Sequence, residues 1–180
     1  MRERLKQILE NKSVLRDREF TLASGRRSRF YVDARMTTLD PDGAYLAAKL
    51  FLEMLRDFHV DAVGGYAIGA DPIVAAIAVV SRLESTPLPA FIIRKEAKVH
   101  GTGKAIEGNF PRGGRVAIFD DVVTSGGSIL KGAELVKNAG AEVAVVMALI
   151  DRQEGGREAI TAAGYDFVAI FTKQDFGIRE

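Results

Sequence analysis

The sequence predicts an α/β fold in which helices flank a central, mainly parallel sheet. From Val60 onward, short apolar runs rich in β-branched residues alternate with helical stretches, an order typical of parallel sheets covered by helices. The predicted strands are almost continuously apolar, as expected where both faces of a sheet are buried. We expect strands at residues 60–64, 90–93, 116–119, 143–150 and 167–171, and helices at residues 72–83, 129–138 and 157–163.

Proline, glycine and capping residues indicate where several helices begin and end. Asp40-Pro41 and Asp71-Pro72 each predict an N-capping aspartate followed by proline at the first helical position. Asn138-Ala139-Gly140 predicts the C-terminal end of a helix.

The first forty residues follow a different order. A helix is expected at residues 3–11, and two β-like runs at residues 20–23 and 30–34 flank the turn-forming segment 24–28, which predicts a hairpin. We therefore expect a single domain, residues 1–180, in which residues 1–40 form a small N-terminal hood on an α/β core of residues 41–180.

Composition excludes several classes of protein. The net charge of +1 offers no broad electrostatic surface for nucleic acid or membrane. The absence of cysteine excludes disulfides, thiolate catalysis and Cys-ligated zinc, and two widely separated histidines disfavour a His-rich metal site. The first ten residues lack a signal-peptide core, and no apolar run reaches membrane-spanning length, so we expect a cytoplasmic protein.

The segment 115–128 carries most of the chemical information. An apolar run ends in the paired carboxylates Asp120 and Asp121, then breaks into a turn rich in glycine and hydroxyl groups that opens onto a helix. Backbone N–H groups in such a turn, aided by the hydroxyls of Thr124, Ser125 and Ser128, suit a phosphate at the positive end of the helix. Ionised carboxylates only accept hydrogen bonds, so they suit ribose hydroxyls or a hydrated Mg²⁺.

A diol next to a monophosphate indicates a ribose 5-phosphate. The alternative is an ordinary strand-to-helix turn with an N-capping Ser or Thr. Two acids at the carboxyl end of a strand favour the phosphate site, because open α/β sheets bind ligands at that edge. No Gly-x-Gly-x-x-Gly follows a strand and no Gly-Lys-Ser/Thr occurs, so neither a dinucleotide site nor a P-loop is supported.

Cations and glycines are concentrated in the segment 94–108, directly after a predicted buried strand. Glycine permits loop motion, and Lys, Arg and His supply positive charge where a diphosphate departs. A solvated surface loop is the alternative for this charge run.

Both segments resemble motifs of one enzyme family. The Asp-Asp-hydroxyl-Gly core at residues 120–128 is similar to the ribose-phosphate signature of the type I phosphoribosyltransferases, and it implies their fold. The string Arg-Lys-x-x-Lys-x-His-Gly at residues 94–101 resembles the mobile catalytic loop of the orotate phosphoribosyltransferases. Because that loop reaches into the neighbouring subunit's site in the family, the resemblance implies a homodimer with shared active sites.

The resemblance also implies roles for individual residues. Lys98, His100, Asp120 and Asp121 are the implied catalytic residues. Mg²⁺ is the implied cofactor, held mainly through substrate and water, with no direct protein ligand. The implied contacts to 5-phospho-α-D-ribose 1-diphosphate are Arg94, Lys95, Lys98, His100, Asp120, Asp121, Val122, Val123, Thr124, Ser125, Gly126, Gly127 and Ser128.

Two more segments resemble parts of the family's sequence that contact the base. Residues 20–33 resemble its Leu-x-Ser-Gly-Arg-x-Ser segment, although Ala23 and Arg29 stand where some members have lysine and proline. Phe30 or Tyr31 suits stacking on a pyrimidine, and plain core packing is the alternative for Tyr31.

The string Asp-Arg-Gln-Glu at residues 151–154 also matches the family. Arg152 is then the implied partner of the orotate carboxylate, because a guanidinium fork fits a carboxylate with two hydrogen bonds, and Thr124 is expected to contact orotate as well. Read alone, Arg152 suits a surface ion pair. Residues 64–72 match the position of the family's pyrophosphate loop but contain no lysine, so we expect backbone contacts there.

The implied reaction transfers ribose 5-phosphate to orotate, giving orotidine 5'-monophosphate and diphosphate. Two alternatives stay open at this point. A phosphoribosyltransferase for another base would share residues 120–128 but would not need Arg152. A regulator of the same fold that binds nucleotide and RNA should show a basic face, which the near-neutral charge disfavours.

Overall fold

The computed structural model describes residues 1–16, 20–21, 27–28, 30–95 and 105–178. A helix, four short strands and two further helices precede the main sheet. They are α1 (Arg2–Lys12), β1 (Val14–Leu15), β2 (Phe20–Thr21), β3 (Arg27–Ser28), β4 (Tyr31–Val32), α2 (Arg35–Thr38) and α3 (Pro41–Leu55). Helix α1 confirms the expected first helix.

The hairpin predicted from the runs 20–23 and 30–34 is confirmed for its first run and wrong for its second. Strand β2 pairs antiparallel with β3, whereas β4, which lies in the second run, pairs antiparallel with β1. Phe30, Val32 and Ala34 are buried in one apolar cluster with Leu5 and Leu9 of α1, so the second run pairs with β1, the strand that follows α1, and not with β2. Segment 24–26, at the centre of the predicted turn, lies outside the described residues.

In the described part of the chain the main sheet has six strands. They are β5 (Ala62–Tyr66), β6 (Ala90–Ile93), β7 (Ile106–Gly108), β8 (Arg115–Val123), β9 (Glu142–Asp151) and β10 (Phe167–Thr172). In space they follow the order β10-β9-β8-β5-β6-β7, and all pairs are parallel except the antiparallel pair of β6 with β7. The five predicted strands and the mainly parallel sheet are confirmed, and the edge strand β7 was not predicted.

Helices among the described residues that follow β5 accompany the sheet. They are α4 (Asp71–Leu83), α5 (Gly127–Asn138), α6 (Gly156–Ala162) and the 3₁₀ helix Lys173–Phe176. Asp40 caps α3 as predicted, since its carboxylate accepts a hydrogen bond from the Gly43 N–H at 3.0 Å. Asp71 was predicted to cap α4, but it is the first helical residue and Ala70 occupies the capping position.

Two apolar clusters lie on opposite faces of the sheet, as its alternating side chains require. Side chains of α1, α3 and α4, such as Leu5, Phe51 and Ile77, pack on one face. Side chains of α5 and α6, such as Ile129 and Ile160, pack on the other. Because Leu5 of α1 shares a cluster with the sheet, the first helix contributes to the main core; the division into hood and core at residue 40 stays a prediction.

A closed base joins the two ends of the cation-rich segment. The N–H of Arg94 donates to the carbonyl of Ala105 at 2.8 Å, and the Arg94 guanidinium pairs with Glu107 of β7 at 3.1 Å. Residues 96–104, including the predicted site residues Lys98 and His100, lie outside the described part of the chain. Among the described residues, no helix is both long and apolar enough to cross a membrane.

Candidate active site

A cavity of about 840 Å³ opens at the carboxyl ends of β5 and β8. Its walls come from the segment around β4, the loop after β5, the end of β8, the turn before α5 and the end of β9. Open α/β sheets bind their ligands at the carboxyl ends of the strands. The cavity lies at this edge, where the sequence placed the phosphate site.

Asp120 and Asp121 line the cavity from within β8. The sequence predicted that the strand ends before them, and this boundary is wrong: the strand continues to Val123 because β9 is long enough to pair with it through Asp151. Backbone N–H groups hold the acids, since Asp121 N–H donates to Asp120 Oδ1 and Val122 N–H donates to Asp121 Oδ1, both at 3.0 Å.

The two carboxyl groups differ in their electrostatic environment. Burial raises the pKa of Asp120 well above its ordinary value, and the neighbouring charge of Asp121 raises it further, while Lys95 acts in the opposite direction. The Asp121 carboxyl group lies directly against Gly69: a Cβ at residue 69 would stand 2.3 Å from Asp121 Oδ1. The loop after β5 therefore shapes the acid pair.

The turn at residues 124–128, called the phosphate loop below, lines the cavity in full. Gly126 occupies the capping position of α5 with φ 79°, and no side chain caps this helix. The alternative of a Ser- or Thr-capped turn is therefore wrong, and the first helical residues, Gly127 to Ile129, line the cavity without a capping side chain. A side chain at residue 126 would be strained by its positive φ, and its Cβ would lie 3.0 Å from the carbonyl of Gly156.

The predicted cations occupy different positions. Lys95 lines the cavity, and its Nζ lies 5.8 Å from the centroid of the Tyr66 ring, close enough to Asp120 to act on that carboxyl group. Arg94 is not among the cavity-lining residues and pairs with Glu107 instead. The structure thus brings Lys95 to the acids and leaves Arg94 at the base of the cation-rich segment.

Arg152 lines the cavity although it is only 3% exposed. Its guanidinium lies 4.2 Å from the Phe30 ring centroid and pairs with Glu154 at 2.8 Å. The surface ion pair suggested as an alternative is therefore wrong. Phe30 is a core residue under this guanidinium, whereas Tyr31 itself lines the cavity and stacks on Phe20 with ring centroids 5.6 Å apart.

The fully buried Asp151 holds the backbone next to Arg152. Its Oδ1 accepts from the Gln153 N–H at 2.7 Å, and its Oδ2 accepts from Arg157 Nε at 3.1 Å. The Arg152 N–H donates to the carbonyl of Val123 at 2.9 Å, which ties the end of β9 to the start of the phosphate loop. Arg152 is therefore placed by backbone contacts on both sides.

Sequence reasoning missed two charged residues of the cavity, Asp33 and Arg35, and it gave no role to Glu154. The Arg35 guanidinium pairs with Asp33 at 2.8 Å. Opposite charges two residues apart are common on surfaces, so the sequence carries no signal that separates this pair from a solvated one.

Residues 41–166 match the family model of the phosphoribosyl transferase domain. This is the class of protein that the acids of β8 and the phosphate loop indicate. The orotate phosphoribosyltransferase of Aquifex aeolicus (strain VF5) is 44% identical over 172 residues, covering 94% of each chain. The chain belongs to the orotate phosphoribosyltransferase family.

Solved structures of this family share the fold. The crystal structure of Mycobacterium tuberculosis H37Rv orotate phosphoribosyltransferase in complex with Fe(III) dicitrate has a TM-score of 0.86 at 36% identity, covering 98% of this chain and 99% of that one. The complex of the same enzyme with 5-phospho-α-D-ribosyl 1-diphosphate has a TM-score of 0.83 at 34% identity, with the same coverage. The expected type I phosphoribosyltransferase fold is confirmed.

Proposed function

We propose that this protein transfers ribose 5-phosphate from 5-phospho-α-D-ribose 1-diphosphate to orotate, yielding orotidine 5'-monophosphate and diphosphate. One observation carries the proposal: the acid pair, the phosphate loop and Arg152 all line a single cavity. Each group matches one part of the product, namely ribose, 5'-phosphate and a carboxylated base. The M. tuberculosis relative, solved with the sugar diphosphate, supports the same assignment.

In this reaction N1 of orotate forms a bond to the anomeric carbon while the bond from that carbon to the diphosphate oxygen breaks, and the N1 proton is released to the departing diphosphate or to solvent. Positive charge develops on the sugar as the diphosphate departs. Asp120 and Asp121 accept hydrogen bonds from the ribose hydroxyls, and their ionised carboxylates stabilise the positive charge that develops on the sugar. The phosphate loop holds the 5'-phosphate at the start of α5, so the sugar is fixed at both ends.

Arg152 and Thr124 select the base. Arg152 is buried and placed by the backbone contacts of Asp151 and Val123, so little rotamer freedom is lost when a carboxylate binds. Thr124 lines the cavity at the start of the phosphate loop and offers a hydroxyl to the base.

Mg²⁺ suits the acid pair through water. Two adjacent carboxyl groups, one with a raised pKa, are stabilised in their ionised forms by a divalent cation, and the hard oxygen donors match Mg²⁺. Among the described residues, no group of three or more His, Cys, Asp or Glu side chains is arranged to hold a metal. When bound, Mg²⁺ neutralises charge on the diphosphate, and Asp120 and Asp121 would face its hydration shell.

The remaining diphosphate contacts are assigned to the cation-rich segment. Lys95 supports this role because it already lines the cavity. We extend the proposal to Arg94, Lys98 and His100, with Lys98 and His100 acting near the departing diphosphate. Exclusion of water by this segment would protect the activated sugar from hydrolysis.

We also propose a cytoplasmic homodimer in which the segment serves the site of the neighbouring subunit, with no nucleic-acid or membrane partner. Four exposed apolar side chains of α2, its C-terminal cap and α4 support self-association, because an interface between two copies would remove them from water. They are Met36 (57% exposed), Leu39 (70%), Val79 (62%) and Leu83 (75%).

The direct test is orotate consumption in the presence of the sugar diphosphate and Mg²⁺, with uracil and hypoxanthine as control bases. We expect turnover with orotate and little with either control. Turnover with hypoxanthine in place of orotate would assign the protein to another base. Omission of Mg²⁺ should lower the rate, because the diphosphate then leaves without charge compensation.

A further inference from the structure

Arg35 is a cavity-lining cation held in one orientation. Its Nε donates to Asp33 Oδ1 at 2.8 Å and its Nη2 donates to Asp33 Oδ2 at 3.1 Å, a two-point fork. The backbone N–H of Arg35 donates to the same Oδ1 at 3.2 Å. A guanidinium held at two points keeps its remaining donors in a defined direction.

The backbone under this pair is fixed as well. The Asp33 N–H donates to the carbonyl of Ser13 at 3.0 Å. The fully buried hydroxyls of Ser13 and Thr37 are hydrogen bonded at 2.7 Å, so the start of α2 is joined to the end of α1. Arg35 therefore projects from a rigid base into the cavity although its side chain is 46% exposed.

The outer edge of the guanidinium is available to a ligand. The fork to Asp33 uses Nε and one N–H of Nη2. Within the described residues, Nη1 has no protein acceptor. An arginine has five N–H donors, so Nη1 and the second N–H of Nη2 can bind an anion without breaking the fork.

Arg35 begins α2, which lies beside α4, and it lines the same cavity as the loop after β5. The hydrogen bond and the charge of Asp33 raise the pKa of Arg35, and Tyr31 and Asp121 add smaller contributions in the same direction. Asp121 in turn packs directly against Gly69 of that loop. Arg35 therefore begins a helix that lies beside α4, the helix into which the loop that matches the family's pyrophosphate loop in position leads.

The part of the cavity formed by the loop after β5 is short of positive charge. The loop residues Ala67, Ile68, Gly69 and Ala70 carry none. The described cavity lining contains three cations, Arg35, Lys95 and Arg152, against four carboxylates, Asp33, Asp120, Asp121 and Glu154. A bound diphosphate adds several negative charges, and a cation from another element would add to the compensation proposed for the cation-rich segment.

We propose that Arg35 binds the diphosphate group of the sugar substrate, and that Asp33 is the positioning residue that orients it. The assignment rests on the proposed function for the identity of the substrate. Arg35 supplies from α2 the charge that the loop after β5 lacks. The orotate carboxylate is the competing ligand, but Arg152 occupies the base side of the cavity, packed on Phe30.

Two ligands separate these assignments, because diphosphate lacks the base and orotidine 5'-monophosphate lacks the diphosphate. Calorimetric titration with inorganic diphosphate and Mg²⁺, and with orotidine 5'-monophosphate, is performed on wild type and Arg35→Ala. We expect Arg35→Ala to weaken diphosphate binding about 10- to 100-fold, the range of a charge-assisted hydrogen bond, with monophosphate binding within about twofold of wild type. In turnover, the KM for the sugar diphosphate should rise while the KM for orotate stays unchanged.

Matched variants separate this role from structural damage. Arg35→Lys should recover part of the diphosphate affinity, since it restores the charge without the fork. Arg115→Ala is the control: Arg115 is 47% exposed and pairs with Glu142, but it starts β8 at the opposite edge of the sheet. Asp33→Asn should weaken diphosphate binding in the wild-type background and have no further effect in Arg35→Ala.

Unchanged diphosphate affinity in Arg35→Ala would overturn the assignment, as would an equal loss for both ligands. A loss confined to the monophosphate would assign Arg35 to the base instead. These titrations do not depend on turnover. A wild type that binds diphosphate through Arg35 but does not convert orotate would refute the proposed function and leave the Arg35 contact in place.

Discussion

The contact between Gly69 and Asp121 makes Gly69→Ala a quantitative test of the acid pair. A Cβ at residue 69 would lie 2.3 Å from Asp121 Oδ1, whereas ordinary contact begins at 3.4 Å, so the carboxyl group must retreat by about 1.1 Å. Displacements of about 1 Å in a reacting assembly can cost about 100-fold in rate, so we expect kcat/KM for the sugar diphosphate to fall by about that factor.

Stability should change little in this variant. Gly69 does not have a left-handed φ, so alanine can adopt its backbone conformation, and the Asp121 side chain can turn into the cavity. Gly64→Ala is the matched control, because its Cβ would stand equally close, 2.3 Å, to the ring of Phe91 in the buried core. It should lower the melting temperature and leave kcat/KM per folded molecule near wild type.

A double-mutant cycle decides whether the effect passes through Asp121. In an Asp121→Ala background the carboxyl group is absent, so Gly69→Ala should cause little further loss of kcat/KM. An undiminished loss in that background would show that residue 69 acts by another route and would refute the reasoning.

Three further predictions follow from the site. Burial raises the pKa of Asp120 above its ordinary value of 3.8, so ionisation of Asp120 destabilises the folded state increasingly as pH rises from 3.8 through the raised pKa. Urea titrations should therefore give Asp120→Asn a larger free energy of unfolding than wild type at neutral pH, and the difference should disappear on acidification. A difference that does not change with pH would contradict the raised pKa. Arg152→Ala should lose about 10- to 100-fold in kcat/KM for orotate relative to uracil, whereas an equal loss for both bases would mean that Arg152 does not bind the carboxylate. If sites are shared across a dimer, mixing inactive Lys98→Ala with inactive Asp121→Asn should restore activity at one site per heterodimer, and no recovery after confirmed subunit exchange would favour sites within one chain.

Local patterns predicted the sheet and most of the site because the relevant signals are contiguous in sequence. The apolar run, acids and glycine turn of residues 115–128 determine a strand, a ligand edge and a helix start within one segment. The end of β8 was misplaced because its last residues pair with the end of β9, a contact that no local pattern records.

The N-terminal region was harder to predict for the same physical reason. Strands β1 to β4 have two residues each, and their partners depend on how Phe30 and Val32 are buried against distant helices. Arg35 was missed because its ion pair with Asp33, two residues away, is indistinguishable in sequence from an ordinary surface ion pair. Its position in the cavity depends on residues that are distant in sequence, which no local pattern reveals.

The closed base between Arg94 and Ala105 turns the cation-rich segment into a tether of known length. The hydrogen bond between Arg94 and Ala105 holds both ends of the segment together. The distance that any residue of the segment can reach is therefore limited by the number of residues between it and the nearer end. His100 stands five residues before Ala105, and a fully extended chain advances at most about 3.6 Å per residue, so the two Cα atoms lie within about 18 Å of each other. By the same geometry the Cα of Lys98 lies within about 14 Å of that of Arg94. A dimer that shares its sites must therefore bring the acid pair of one protomer close to the β6–β7 edge of the other protomer, within these Cα distances plus the length of a side chain. Deletions in the cation-rich segment should abolish this sharing of active sites before they affect folding.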